Sequence, residues 1–252
     1  MLINPLITSP SPRDILEFKQ GQDTIPCDKL LVKYHHSKRA YKIMRSYFLE
    51  HGEYTHLILH PDDLIVNESH YNALKKTIEE HDYPVLSGVC IVSINVPQLL
   101  AVTESKLPTP YRRTRKYDFV NTRSSPRGIV KVLWSGFPFM WIRRDIVEKI
   151  EFEDDTRWNL QDPNKGWSFD VTFCYNCDKL EIPIYTDFDV MMKHLKDAGN
   201  MIKTGQTKPK VLLVKDNEEK DITQECHDKY LAKEDWIQYP HLNTTTHKLD
   251  MI

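Results

Sequence analysis

The apolar positions along the chain follow two rhythms. Short unbroken runs such as Leu30-Leu31-Val32, Leu57-Ile58-Leu59 and Val85-Leu86-Ser87-Gly88-Val89-Cys90-Ile91-Val92 are too short for helices. They read as strands covered on both faces. Between them the apolar residues take helical spacing. Ser37 opens a helix over residues 38–50, with Ala40, Ile43, Met44, Tyr47 and Phe48 on one face and Gly52 past its end. A second helix spans 68–81, with Tyr71, Leu74 and Ile78 aligned. Upstream, Leu2 to Ile7 reads as a first strand broken by Thr8-Ser9-Pro10-Ser11-Pro12, and 13–19 as a short helix. Alternation of this kind predicts an α/β fold: a mostly parallel central sheet with helices on both faces.

The pattern lapses over 95–127, where a basic cluster, Arg112-Arg113-Thr114-Arg115-Lys116, sits among prolines. It reads as a solvated surface or as a flap that meets an anionic diphosphate. Order returns at Gly128 with a strand over 129–134. An aromatic stretch around Gly136 follows, then a helix running from Arg143-Arg144-Asp145 to Ile150. After an acidic, Trp-containing loop, Ser168-Phe169-Asp170 starts a helix over 171–180. Pro183 assigns the strand over 182–187 to a sheet edge. Residues 1–195 form the main unit in this reading, and 196–252 a C-terminal extension with an apolar run at 211–214 and a helix within 221–238. The extension either shapes an acceptor site, contacts a second copy of the chain, or packs on the sheet.

Composition narrows the class. Lys and Arg number 34 and Asp and Glu 36, for a net charge of -2, which argues against a nucleic-acid binder. No apolar run approaches a membrane span, and the N-terminus lacks the basic lead of a signal peptide. Five cysteines without such a leader suggest reduced thiols, so a cytoplasmic protein is expected. Cys174-Tyr175-Asn176-Cys177 is a single CxxC and reads as two buried helical thiols.

The candidate chemistry lies in Thr55 to Val66, where the run Leu57-Ile58-Leu59 ends in His60-Pro61-Asp62-Asp63. That places an imidazole and two carboxylates at the carboxyl end of a buried strand, where open α/β sheets bind ligands. Adjacent acids there call for a cation, and oxygen ligands suit Mg²⁺ or Mn²⁺. A polar turn capping the next helix fits the same residues.

The series of segments, taken in order, resembles the GT-A fold glycosyltransferases, closest to the broad family 2 type. Ser37-Lys38-Arg39-Ala40 resembles the helix start of the nucleotide-binding half. His60-Pro61-Asp62-Asp63 stands at the family's DxD motif, and Val85 to Val92 at the strand after it. Trp134 to Arg144 is similar to the acceptor-side segment of Gly, aromatics and Arg pair. Ser168 to Cys174 is similar to the ED-containing helix start, and Pro183 to Leu195 to the closing strand with its terminal His. Two positions depart from the pattern: His60 replaces the first acid of DxD, and Phe169 the Glu before the catalytic Asp. The resemblance implies a transferase that moves a sugar from a nucleoside diphosphate sugar to a hydroxyl on a glycan, lipid or protein. It implies Mn²⁺ or Mg²⁺ held by His60, Asp62 and His194. It implies donor contacts from Asp62, Asp63, Arg39 and Gly136, and Asp170 as the base. A nucleotide-sugar-binding module without catalysis and a sugar-phosphate nucleotidyltransferase are the alternatives. The latter would want a glycine-rich phosphate loop that Pro5 to Arg13 does not supply.

Overall fold

The computed structural model describes residues 2–11, 13–35, 37–93, 96–99, 101–103, 120–152, 169–195 and 209–231. The basic cluster at 112–116 and most of the acidic loop before α5 lie outside them. The first part of the chain gives β1 (Pro5–Ser11), α1 (Leu16–Asp23), β2 (Lys29–Lys33), α2 (Ser37–Glu50) and β3 (His56–Leu59). Strand β1 pairs in parallel with β2 on one side and β3 on the other. The carboxyl ends of these three strands therefore come side by side, and the candidate site is built there.

Strand β1 runs on through the expected break at Thr8 to Pro12. The Ile7 N–H bonds the Asp28 carbonyl on the β2 side, while the Thr8 carbonyl accepts from the His60 N–H on the β3 side. Pro10 shares the parity of Thr8, so its missing N–H faces β3. The β3 pairing has ended by then, at Thr8 opposite Leu59. No ladder bond is lost there. Helix α1 begins at Leu16 rather than Arg13, which leaves Arg13 and Asp14 in the turn above the strand ends.

The chain continues as β4 (Leu64–Ile65), α3 (Glu68–His81), β5 (Val85–Ser93), β6 (Val96–Leu99) and β7 (Ala101–Val102). After them come β8 (Ile129–Val132), β9 (Trp134–Ser135), β10 (Met140–Arg143), α4 (Arg144–Lys149), α5 (Phe169–Lys179) and β11 (Ile184–His194). The last described elements are β12 (Lys210–Lys215), β13 (Glu218–Asp221) and α6 (Thr223–Tyr230). Among the described residues the main sheet runs β13-β12-β2-β1-β3-β10-β5-β11-β4, with β6 on β5 and β8 on β11; β7 and β9 pair apart.

This is a mixed α/β fold, but the sheet is not mostly parallel. Among the described strands parallel pairing is confined to β1 with β2, β1 with β3, and β5 with β11. The other ladders between described strands are antiparallel, including β10 where it slots between β3 and β5. Apolar periodicity reports which residues are buried and is blind to strand direction, so it could not show β10 reversed. Strand β11 is also not an edge. It has β5 on one side and β8 and β4 on the other, and Pro183 precedes its first residue.

Alternate residues of the sheet feed two cores. Leu6, Leu57, Leu59, Met140 and Ile142 pack with α2, α4 and α5 on one face. Ile7, Ile58, Leu86 and Trp141 pack with Tyr71, Leu74 and Ile78 of α3 on the other. Helices on both faces explain why Leu57-Ile58-Leu59 is apolar without alternation. The Arg143-Arg144 pair falls at the opposite end of the sheet from the acids, since Arg143 lies opposite His56 at the start of β3. The Arg144 guanidinium bonds the carbonyls of Phe48, Leu49, His51 and Tyr54, satisfying the last turn of α2.

Candidate functional site

The turn after β3 carries Pro61, Asp62 and Asp63. His60 holds this turn from below. It is fully buried between Phe18 and Phe139, with ring centroids 4.7 and 5.1 Å away. Its Nε2 donates to the Leu64 carbonyl at 2.9 Å, which leaves Nδ1 to accept from the Gln22 amide at 2.5 Å. Both ring nitrogens are thus committed to the protein, and no lone pair is left for a metal in this arrangement. Burial lowers the His60 pKa to about 4, so the ring is neutral.

Asp62 is buried against Arg13. The Arg13 backbone N–H, Nε and Nη2 donate to it at 3.0, 3.2 and 2.6 Å. Burial raises the Asp62 pKa, with the Arg13 hydrogen bonds and charge pulling the other way. The same Nη2 lies 3.5 Å from Asp63 Oδ2, so one guanidinium spans both acids. Asp63 also faces His194, the last residue of β11, with Nε2 3.4 Å from Oδ2. The His194 Nδ1 lies 3.1 Å from the Ile91 carbonyl, which can only accept, so Nδ1 carries a proton. This leaves Nε2 directed at Asp63. Burial would raise the Asp63 pKa, but the hydrogen bond from His194, its charge and that of Arg13 outweigh it and hold the carboxyl below its usual range.

Asp170 belongs to another element. It stands in the first turn of α5, where its Oδ1 accepts from the Val171 N–H at 2.9 Å. The neighbouring Phe169 ring stacks on Tyr41 at 4.4 Å. Tyr41 is buried in the first turn of α2, and burial together with the charges of Asp170, Asp63 and Asp62 pushes its phenol well above the ordinary range. The charges of three acids from two elements therefore act on one tyrosine. Gly136 is buried just after β9, beside Phe137, whose ring lies 5.8 Å from Tyr41. The charge of Arg39 bears on His35 and His227.

The structure thus brings Asp62, Asp63 and His194 together, has the charge of Asp170 act with those of the two acids on Tyr41, and commits the ring nitrogens of His60 elsewhere. It adds Arg13, Tyr41 and Gln22, which sequence reasoning passed over. A single Arg in the turn above a double Asp was the available signal for Arg13. The backbone is strained on two sides of the group: Tyr34, after β2, and Phe139, against His60, have φ of 57° and 55°. The Tyr34 hydroxyl bonds Asp14, which also accepts from Lys33 at 3.0 Å.

Among the described residues no group of three His, Cys, Asp or Glu side chains converges as a metal cage. Asp63 and His194 supply one oxygen and one nitrogen. A pair of that kind fits a cation that takes its remaining ligands from substrate phosphates and water. The described residues also include no helix long and apolar enough to cross a membrane.

No protein-family model and no curated protein matches the chain. Among solved structures it is similar to A197 from STIV, with 17% identity, 81% of this chain and 100% of that one covered, and a TM-score of 0.49. It is also similar to S. aureus TarS 1-349, with 11% identity, 78% and 59% coverage, and a TM-score of 0.37. Both lie below the similarity at which a shared fold would follow.

Proposed function

We propose that the chain is a metal-dependent glycosyltransferase, moving a sugar from a nucleoside diphosphate sugar to a hydroxyl acceptor. The supporting observation is the meeting of Asp62, Asp63 and His194 around Arg13 at the carboxyl ends of β1 and β3, with the charge of Asp170 acting on Tyr41 alongside those of the two acids. Asp63 and His194 would hold Mn²⁺ or Mg²⁺, the ion taking the place of the His194 Nε2 proton that faces Asp63 and is released to solvent, with Mn²⁺ favoured by the imidazole. When bound, such a cation offsets the charge that develops on the departing diphosphate. Arg13 carries a fixed positive charge at the same place, so it can meet diphosphate oxygens that displace its bonds to the acids. Asp170 accepts the proton of the attacking hydroxyl in a transfer that inverts configuration. Tyr41 is kept protonated by burial and by the charges of the three acids, so its hydroxyl remains a donor.

One observation favours a second reading. Arg13 already pairs with both strand-end acids, as a binding module that has lost its metal and its catalysis would require. Calorimetry with a panel of nucleotide sugars, in Mn²⁺ and in EDTA, tests the metal role, which equal affinity in EDTA would remove. Turnover separates transferase from module. Asp170→Asn keeps the side-chain shape and removes the proton acceptor, so binding should persist while turnover falls about 10²-fold. Near-normal turnover returns Asp170 to a helix-terminus role.

A further inference from the structure

A second pair of metal-ligating side chains lies away from the acids. His35 follows β2, His227 sits in α6, and their Nε2 atoms are 2.8 Å apart with the rings edge-on at 81°. His35 Nδ1 lies 2.8 Å from the Lys33 carbonyl. A carbonyl cannot donate, so Nδ1 carries the proton and Nε2 presents its lone pair to His227. Metal-ligating imidazoles are set up in this way, the far N–H held by a backbone carbonyl. Two bonds of about 2.0–2.1 Å drawn to one ion across that gap meet close to a right angle. That is the angle of neighbouring ligands in a tetragonal site, the geometry of Ni²⁺ and Cu²⁺. The charges nearby are mixed. Asp228 and Asp221 act on His227, while Arg39 opposes a cation at both rings.

We propose that His35 and His227 form a second metal site, for a divalent transition metal that prefers imidazole and takes the place of the proton between the two Nε2 atoms, which passes through solvent to His227 Nδ1. Water completes its coordination, and the ion clips α6 to the end of β2. The pairing joins residues 192 positions apart, so a bound ion closes a long loop between the first strands and the C-terminal segment. The site shares no residue with Asp63 and His194 and does not depend on the transferase reading.

The experiment uses the full chain, stripped with chelator and titrated with Ni²⁺ by calorimetry and thermal unfolding. Wild-type protein and Asp63→Asn should both bind Ni²⁺ and rise in Tm, as ligand binding to the folded state requires. His35→Gln and His227→Gln should each weaken binding tenfold or more and remove the rise. Unchanged Ni²⁺ affinity in both variants would overturn the site, leaving an imidazole–imidazole hydrogen bond. If either variant fails to fold, electron paramagnetic resonance of Cu²⁺-loaded wild-type protein decides. Coupling to two imidazole nitrogens that persists in His194→Gln supports the site, and its absence overturns it.

Discussion

Asp62 and Asp63 are chain neighbours with opposite electrostatic fates. Asp62 points inward, and burial outweighs the Arg13 contacts, so its pKa rises. Asp63 is also penalised by burial, but His194 and Arg13 together carry its pKa down. Linkage gives the signs for stability. A carboxyl depressed in the fold contributes stability that is complete above its unfolded pKa of about 3.9 and disappears as pH falls through the lower folded value. Asp63→Asn should therefore lower the urea midpoint at pH 6. The gap to wild type should close as the pH falls below about 4. A gap that stays constant down to pH 2 would mean that Asp63 is held by shape and not by charge. His60 shows why residue type alone misleads. The sequence places an imidazole at the first position of the acidic motif, but a ligand needs a free lone pair. That depends on Gln22 and Leu64, one from α1 and one from the start of β4.

Among the elements, what was legible is what local chemistry controls. Helix α3 spans the expected residues because its signals are all adjacent. Asn67 accepts from the Ser69 and His70 N–H groups, His70 answers in a capping box, and Asp82 turns left-handed after the last turn. Helix α2 likewise follows its apolar face. The reversal of β10, the interior place of β11 and the length of β1 depend on partners far away in sequence, so spacing carried no trace of them. Gly88 shows how such a partner acts. The register of β5 on β11 passes from Ser87 opposite Thr186 to Val89 opposite Met191. Asp187, Phe188, Asp189 and Val190 thus crowd against Gly88 alone. A Cβ on Gly88 would lie 2.8 Å from the Val190 carbonyl oxygen and 2.1 Å from Met192 Cε. The methionine can swing aside, but the carbonyl cannot without shifting the bulge. Gly88→Ala should cost about 1–3 kcal/mol, as overpacking does, and lower Tm by roughly 2–4 °C for each of them. The bulge also sets the phase that brings His194 to Ile91 and Asp63, so metal affinity should fall with it. An unchanged Tm would show that the bulge moves freely.

For the molecule as a whole, the question is whether residues 1–195 stand without the C-terminal segment. The main sheet does not stop at β2. Strand β12 lies antiparallel to it over five positions, from Lys33 opposite Lys210 to Lys29 opposite Val214. Behind that pairing Val211, Leu212, Ile222, Cys226 and Leu231 are buried, and all but Leu212 belong to the same core cluster as Leu30 and Val32. Helix α6 is tied to α2 as well, through Lys229 and Tyr230 on Glu50. Fully burying one large apolar side chain is worth about 1.5–3 kcal/mol. Several together approach the whole margin of a domain, about 5–15 kcal/mol. Truncation after Leu195 would also leave β2 as an open edge, with its N–H and C=O groups presented to other chains. The truncated chain should therefore be expressed in aggregated form, or unfold without a cooperative transition. Adding residues 196–231 back should restore a single sharp melt. A soluble, cooperatively melting 1–195 fragment that binds nucleotide sugar as the full chain does would show that the last segment is an appendage. The donor site would then be complete without it.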